Sequence, residues 1–157
     1  MLEQFSKSPS LLSVTDYEEH IWMLQLQQPE QVKRRFNLWK LNQGLDIQLL
    51  IKAIQDIIKT TPDLNVRYTF SDEGDLYKYP FDDHSACLEV KKSNAEHVFE
   101  QVATLKAQAW NAEFHPPFFT SLIETEQDYF LILALHPILD ESYQKSDFIQ
   151  AIQNRYQ

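Results

Sequence analysis

Apolar and polar positions change their spacing repeatedly along the chain, and each change predicts a new secondary-structure element. Apolar residues between Thr15 and Gln27 predict a first helix, and Pro29 follows its end. Phe36 to Leu41 alternates large apolar residues with polar ones, which is typical of a strand. After Gly44, leucines and isoleucines recur every three or four positions, which predicts an amphipathic helix with Asp46 as its N-cap.

The next segment predicts a β-hairpin. Leu64 to Phe70 alternates in the manner of a strand, Ser71 to Asp75 is a polar turn, and Leu76 to Phe81 returns as a second strand. We expect Gly74 to adopt a positive φ in this turn, because glycine has no Cβ to clash there. Cys87 to Val90 predicts a further short strand.

The second half of the chain predicts two helices and two strands. Ser93 to Glu96 has the spacing of a capping box and predicts the start of a helix. This helix must end before the Pro116–Pro117 pair, because proline cannot continue a helix. Phe118 to Glu124 and Tyr129 to Leu135 predict strands, and the second is apolar on both faces and therefore central. A last helix is expected from Glu141 to about Tyr156. The order of elements indicates an α+β fold, a two-layer sandwich of a mixed or antiparallel sheet with helices.

Composition narrows the class of protein. The 157 residues suit a single domain, residues 1–157, and 43% of them are hydrophobic, which is enough for a core. Only two glycines are present, Gly44 and Gly74, so a glycine-rich nucleotide-binding loop is excluded. The single cysteine, Cys87, excludes an internal disulfide and a multi-cysteine metal site. A net charge of −9 disfavours nucleic-acid binding, which depends on cationic side chains.

The chain carries no segment that predicts export or membrane insertion. Met1 to Phe5 includes an early acid and no basic or long apolar stretch, unlike a secretory signal. The longest uncharged apolar run, Tyr129 to Leu135, is far shorter than the roughly twenty residues that a membrane helix needs. We therefore expect a cytoplasmic protein that binds neither membrane nor nucleic acid.

Among the histidines, His136 has the most informative context. It ends the most apolar predicted strand, Pro137 follows it directly, and Asp140 comes shortly afterwards. An imidazole at the rim of a buried strand, beside a carboxylate, is suited to proton transfer. In the alternative interpretation, His136 bonds a backbone carbonyl and Asp140 caps the last helix. The other histidines predict surface or loop positions and no metal site: His20, His84, His97 and His115.

Four segments resemble motifs of one family. Leu131 to Tyr143 is similar to the active-site segment of condensation domains from nonribosomal peptide synthetases, written His-His-x-x-x-Asp-Gly. Ser13 to Trp22 resembles the opening helix of that family, and Phe36 to Asp46 resembles its Tyr-Asn … Gly-x-Leu-Asp strand–helix unit. Thr61 to Tyr68 stands where the family has Arg-His-Glu-x-Leu-Arg-Thr-x-Phe. In this order and spacing, the resemblance covers about residues 13–156.

The resemblance implies a fold like that of chloramphenicol acetyltransferase, in which two similar lobes form a V around a tunnel. The chain corresponds to the first lobe, so we expect a stand-alone half domain that lacks the second. In the family, carrier-tethered substrates meet at the active-site histidine between the lobes. One lobe supplies half of that wall, which cannot exclude water from a thioester.

The resemblance also assigns roles to individual residues. His136 aligns with the functionally important second histidine of the motif, and Asp140 aligns with its structural aspartate. Leu135 replaces the first histidine, and Glu141 replaces the glycine, so the motif is degenerate. We expect the anionic side chain of Glu141 to lie beside the reacting centre.

The aspartate of the family motif commonly pairs with an arginine, whose position is occupied here by Asn65. Arg67 lies two residues further along the predicted strand, so it points the same way and is the expected partner of Asp140. The resemblance implies no cofactor and no metal.

Three functions are compatible with these residues, and the degenerate motif favours the non-enzymatic ones. The first is a non-catalytic interaction module that binds a carrier protein, a synthetase module or a second copy of itself. The second is an acyltransferase that makes an amide from a carrier-bound thioester, with His136 as the catalytic residue and a homodimer or partner lobe completing the tunnel. The third is a small regulatory or ligand-binding protein with the same fold. Lys33 to Arg35 either attracts an acidic carrier protein or is a solvated flank.

Overall fold

The computed structural model describes residues 11–156. The expectation about Met1 to Phe5 concerns residues outside this range. The order of helices and strands matches the predicted order, preceded by one additional two-residue strand. In the described range, no helix has both the length and the apolar character needed to cross a membrane.

Seven strands and four helices make up the described chain. The strands are β1 (Leu12–Ser13), β2 (Arg35–Leu41), β3 (Val66–Phe70), β4 (Leu76–Pro80), β5 (Leu88–Lys92), β6 (Phe118–Glu124) and β7 (Tyr129–Leu135). The helices are α1 (Asp16–Gln27), α2 (Ile47–Thr60), α3 (Ala95–Ala107) and α4 (Lys145–Tyr156).

The larger sheet is mixed and has four strands in the order β2-β7-β6-β5. β7 runs antiparallel to both of its neighbours, and β5 is parallel to β6. The prediction that the most apolar strand is central is therefore confirmed. Because β7 is hydrogen-bonded on both edges, the residue that follows it is delivered to a fixed position at the end of the sheet.

The hairpin belongs to a separate three-stranded sheet, in the order β1-β4-β3, which the sequence did not predict. Gly74 in its turn has φ 87°, as expected for a residue without a Cβ. Leu64 and Asn65, expected in the first strand of the hairpin, instead form part of a 3-10 turn, Pro62–Asn65, before β3. Asn65 therefore lies before β3 and outside its alternating pattern.

Two helix starts differ from the predictions. α3 is capped by the side chain of Asn94, one residue later than the Ser93–Glu96 spacing indicated. α4 begins at Lys145 rather than at Glu141, because the chain after β7 first forms a 3-10 turn. The carboxylate of Asp147 then accepts a hydrogen bond from the backbone just before the helix, at 2.8 Å. Local caps, rather than apolar spacing, set both starts.

Both faces of the larger sheet are covered by helices. On one face, Val98 of α3 clusters with Ile123 and Ile132. On the other face, Leu131 belongs to the main core, to which α1, α2 and α4 contribute residues such as the fully buried Ile54. Successive residues of β7 therefore face two different cores, which is why this strand is apolar at every position.

A buried carboxylate joins α1 to the three-stranded sheet. Glu18 is 7% exposed, and its carboxylate accepts hydrogen bonds from the Tyr68 hydroxyl and from Lys78 Nζ, the latter at 3.1 Å. It also completes a capping box with Thr15. Burial alone would raise the pKa of Glu18, but the hydrogen bonds, led by that of Tyr68, outweigh burial and lower it. The stability that this carboxylate contributes is thus lost as the pH falls below about 4.5.

We predict that Glu18→Gln lowers the free energy of unfolding by about 3 kcal/mol, because Lys78 is left largely buried without its nearer carboxylate. Glu89→Gln is the matched control, since Glu89 pairs with Lys91 at the surface. That exposed pair is worth less than about 1 kcal/mol. Urea denaturation followed by circular dichroism measures both changes. Equal losses for the two variants would contradict the assignment of a buried ion pair.

Candidate functional site

His136 is fixed at the point where β7 ends. Its backbone N–H donates to the Pro117 carbonyl at 2.8 Å, which extends the pairing of β7 with β6 by one residue. Pro137 has no N–H to continue the ladder, so the chain turns into the 3-10 turn Pro137–Leu139. The His136 side chain is 2% exposed. The strand end and the proline together determine where this imidazole lies.

Both ring nitrogens of His136 have hydrogen-bond partners. Nδ1 accepts the backbone N–H of Ile138 at 3.1 Å, so the proton of the neutral ring is on Nε2. Nε2 then donates to Oε1 of Gln25, on α1, at 2.7 Å. The same Gln25 amide donates from Nε2 to Oδ1 of Asn111 at 3.4 Å. The imidazole thus ties the turn after β7 to α1 and to the loop after α3.

The surroundings of His136 keep its ring neutral. Burial, followed by the positive charge of Arg34, lowers the pKa of His136 to about 4. At neutral pH the ring is uncharged, its Nδ1 lone pair is occupied, and its Nε2 carries the proton. In this arrangement neither nitrogen is free to take a proton from a substrate.

Asp140 lies near His136 in sequence but has other partners. Its Oδ2 accepts a hydrogen bond from Arg35 Nη2 at 2.7 Å and from the Tyr17 hydroxyl at 3.2 Å. This ion pair connects the start of β2 to the turn after β7. Asp140 therefore connects β2 and α1 to the turn after β7, and the tautomer of His136 is set by Gln25 and the backbone instead.

The expected pair of Asp140 with Arg67 is wrong. Arg67 is buried on β3, in the smaller sheet, where its Nη1 donates to the Asn65 side chain at 2.9 Å. Its guanidinium also lies over the Phe81 ring, 4.1 Å from the ring centroid. Alternation along a strand predicts the side on which a residue lies, but not the sheet to which the strand belongs. Arg67 consequently contacts the loop after β4, beside the smaller sheet, whereas Asp140 follows the larger sheet.

A cavity of about 720 Å³ opens beside His136. It lies between the end of α1, the start of β2 and the segment after α3. The expectation that Glu141 lies beside the reacting centre is wrong: its side chain is exposed and does not line this cavity. Leu135, in place of the first histidine of the motif, is buried in the main core. The residues that matter most for the chemistry of the cavity are Gln25, Lys33, Arg34, Lys106, Asn111 and His136.

Arg34 is a site residue that sequence reasoning did not single out from its basic run. Its guanidinium lies 4.8 Å from the centroid of the Phe36 ring and 4.0 Å from that of Trp110. Nη2 donates to the Leu105 carbonyl at 2.5 Å. Burial lowers the pKa of Arg34 to about 10, so the group is still charged at neutral pH. Phe36, two residues further along, was the one available signal in the sequence, since arginine often stacks on aromatic rings.

The remaining histidines have structural or surface positions. His115 stacks on Trp110, with ring centroids 4.5 Å apart. The Asp83 carboxylate accepts the Ser85 N–H at 3.0 Å and so caps a short turn. Within residues 11–156, no three histidine, cysteine or acidic side chains come together as a metal site. Three histidines are exposed: His20, His84 and His97.

Comparison with known proteins identifies the fold. The chain matches no protein-family model, and its sequence matches no curated protein at a significant level. Its structure resembles a double mutant of the starter condensation domain of the rhizomide synthetase RzmA, with TM-score 0.74 and 15% identity over 94% of the chain. It also resembles the tallysomycin biosynthesis protein TlmII, with TM-score 0.71 and 15% identity over 94% of the chain. The X-domain in complex with OxyB from teicoplanin biosynthesis gives TM-score 0.75 and 17% identity over 96%.

These similarities confirm the predicted fold, one lobe of the chloramphenicol acetyltransferase-like fold found in condensation domains. The chain spans 37%, 39% and 33% of the three matched chains, about one third of their length. At such low identities the similarity concerns the fold alone.

We predict that His136 makes stability depend on pH. In the unfolded chain a histidine binds a proton near pH 6.5, whereas folded His136 does so near pH 4, so stability falls as the pH decreases between these values. Between neutral pH and about pH 4.5 the wild type should lose about 2–3 kcal/mol more than His136→Gln. Urea denaturation at both pH values measures the difference.

The exposed His20 supplies the control for this measurement. His20→Gln removes a surface imidazole and should keep the pH dependence of the wild type. Identical pH profiles for the wild type and His136→Gln would contradict the assignment of His136 as a buried neutral ring.

Proposed function

We propose that this lobe is a non-catalytic docking module of nonribosomal or related thiotemplated peptide biosynthesis, and that it binds an acidic carrier protein. The observation that carries the proposal is the engagement of both ring nitrogens of His136. The association with peptide biosynthesis is supported by the similar structures, which come from rhizomide, tallysomycin and teicoplanin systems.

The environment of His136 does not suit a catalytic role. A general base needs a free lone pair within reach of the proton that it removes, and a pKa near the working pH. Here Nδ1 is occupied by a backbone N–H, and burial lowers the pKa to about 4. Asp140, the other residue that matches the motif, is paired with Arg35, and the ring nitrogens of His136 bond Gln25 and the Ile138 backbone instead. The motif residues therefore maintain the lobe rather than perform chemistry.

A docking role is supported by the surface next to the cavity. Met23 and Leu26 are 40% and 53% exposed and lie three residues apart on α1, so they share one helix face. Leu26 and the exposed Lys33 both line the cavity. Apolar side chains beside a cation suit an acidic partner with an apolar contact patch. The fold is also compatible with docking, since the X-domain from teicoplanin biosynthesis is known in complex with OxyB.

We predict that the protein does not accelerate amide formation between an acyl-thioester donor and an amine. Product formation, followed by mass spectrometry, should equal the background without protein, and His136→Ala should leave it unchanged. Circular dichroism verifies that the variant is folded. Turnover above background that His136→Ala abolishes would contradict the non-catalytic role.

An acyltransferase is the second candidate, because His136 does line a cavity. A second copy or a partner lobe would then have to close the cavity, and the substrate would have to displace the contact between His136 and Gln25. Light scattering measures self-association. A dimer that shows His136-dependent turnover would favour this candidate over the docking module.

The docking surface has a separate test. We predict that the double variant Met23→Ser with Leu26→Ser binds an acidic carrier protein about tenfold more weakly than the wild type, because two exposed apolar contacts are lost. Phe99→Ser is the matched control, since Phe99 is 70% exposed on α3, on the opposite face of the larger sheet from α1. Isothermal titration calorimetry measures the affinities. Equal weakening by both substitutions, or no binding by the wild type, would contradict the docking surface.

A further inference from the structure

Positive side chains are concentrated around the cavity beside His136. Lys33, Arg34 and Lys106 line it, and Glu30 is the carboxylate among its described lining residues. In the part of the chain that the structure describes, no carboxylate lies within 4 Å of any of these three cations. This concentration of positive charge contrasts with the net charge of −9 of the whole chain. A concave surface with an excess of one charge focuses the electrostatic field and attracts ions of the opposite sign.

Arg34 is held in place as a preformed cation. The Phe36 and Trp110 rings lie close to its guanidinium, and the Leu105 carbonyl accepts its Nη2–H. Its other terminal nitrogen, Nη1, is buried and has no hydrogen-bond partner among the described residues. Partial desolvation of this guanidinium costs free energy, which the two rings and the Leu105 carbonyl offset in part and a bound anion would offset further.

The cavity also has the size of a ligand site. Its volume of about 720 Å³ lies within the range of roughly 300–1,000 Å³ that is typical of small-molecule sites. Gln108 and Asn111 add amide groups, whose NH2 groups can donate hydrogen bonds, to a wall with three cations and one carboxylate. Such a lining matches phosphate or carboxylate oxygens.

We propose that this cavity binds a small multivalent anion through Lys33, Arg34 and Lys106. Arg34 provides the fixed charge at the back, and the two exposed lysines close over the ligand from the rim. The ligand carries phosphate or carboxylate groups, which share the same recognition chemistry. This inference goes beyond the docking role, because the site is complete without a carrier protein.

Isothermal titration calorimetry of the full chain with pyrophosphate and with citrate, at constant ionic strength, tests the site. We expect at least one probe to bind with a dissociation constant below about 1 mM. Binding of pyrophosphate alone indicates a phosphoryl ligand, and binding of citrate alone indicates a polycarboxylate. Binding of both probes indicates that the site recognises charge rather than one type of anion. The absence of binding by both probes up to about 10 mM would overturn the proposal.

Two double variants locate the site. Lys33→Gln with Lys106→Gln should weaken binding by at least about tenfold, since two charge-assisted contacts are lost. Lys52→Gln with Lys59→Gln removes the same charge from the exposed face of α2 and should change affinity less than about twofold. Equal weakening by the two double variants would overturn the proposal in favour of general charge attraction.

A third variant and a cross-test separate the two proposals. Arg34→Gln should also weaken anion binding, provided that circular dichroism verifies its fold. The single variant Met23→Ser should bind the anion as the wild type does, because Met23 does not line the cavity and the three cations stay in place. Weaker carrier binding by Met23→Ser with retained anion binding thus bears on the docking surface alone. Loss of anion binding in the single variant Lys106→Gln, which leaves Lys33 of the docking surface in place, bears on the cavity alone.

Discussion

The pairing of β7 on both of its edges is the constraint on which the rest of the structure depends. Leu135 is the last residue of the strand and is opposite both Arg35 of β2 and Phe118 of β6. Because Pro137 cannot extend the ladder, the chain leaves the sheet directly after His136. The sheet therefore places this imidazole at the junction of α1, β2 and the loop after α3, and no described non-glycine residue needs a positive φ to do so.

At this junction the imidazole acts as a neutral connector. Its Nδ1 accepts a backbone N–H of the turn, and its Nε2 donates to the Gln25 side chain. The Gln25 amide in turn donates to Asn111. The nearby Arg34 adds to this arrangement, because a positive charge beside a buried ring opposes its protonation. The same arginine gives the adjacent cavity its charge. One group thus discourages base chemistry at His136 and at the same time favours an anion next to it.

The sequence predicted most of the fold because its elements are strongly patterned. The strands Phe118–Glu124 and Tyr129–Leu135 have the predicted bounds, since alternation and continuous apolarity are direct consequences of burial on one or two faces. The partner of Asp140 was not predictable in the same way. Period-2 alternation gave no information on the sheet to which Arg67 belongs. Asn65, expected in the same strand, lies in the turn before β3 instead. Contacts between side chains distant in sequence, such as His136 with Gln25, depend on packing that no local pattern records.

Nitrogen-15 NMR of protein labelled at histidine tests the central claim most directly, because the chemical shifts of the two ring nitrogens report which one is protonated. We expect His136 to have an unprotonated Nδ1 and a protonated Nε2 at neutral pH, and to stay neutral until the pH approaches 4. The signal is assigned by its loss in His136→Gln. Titration of His136 near pH 6.5, or a proton on Nδ1, would contradict the claim that this imidazole is a structural connector.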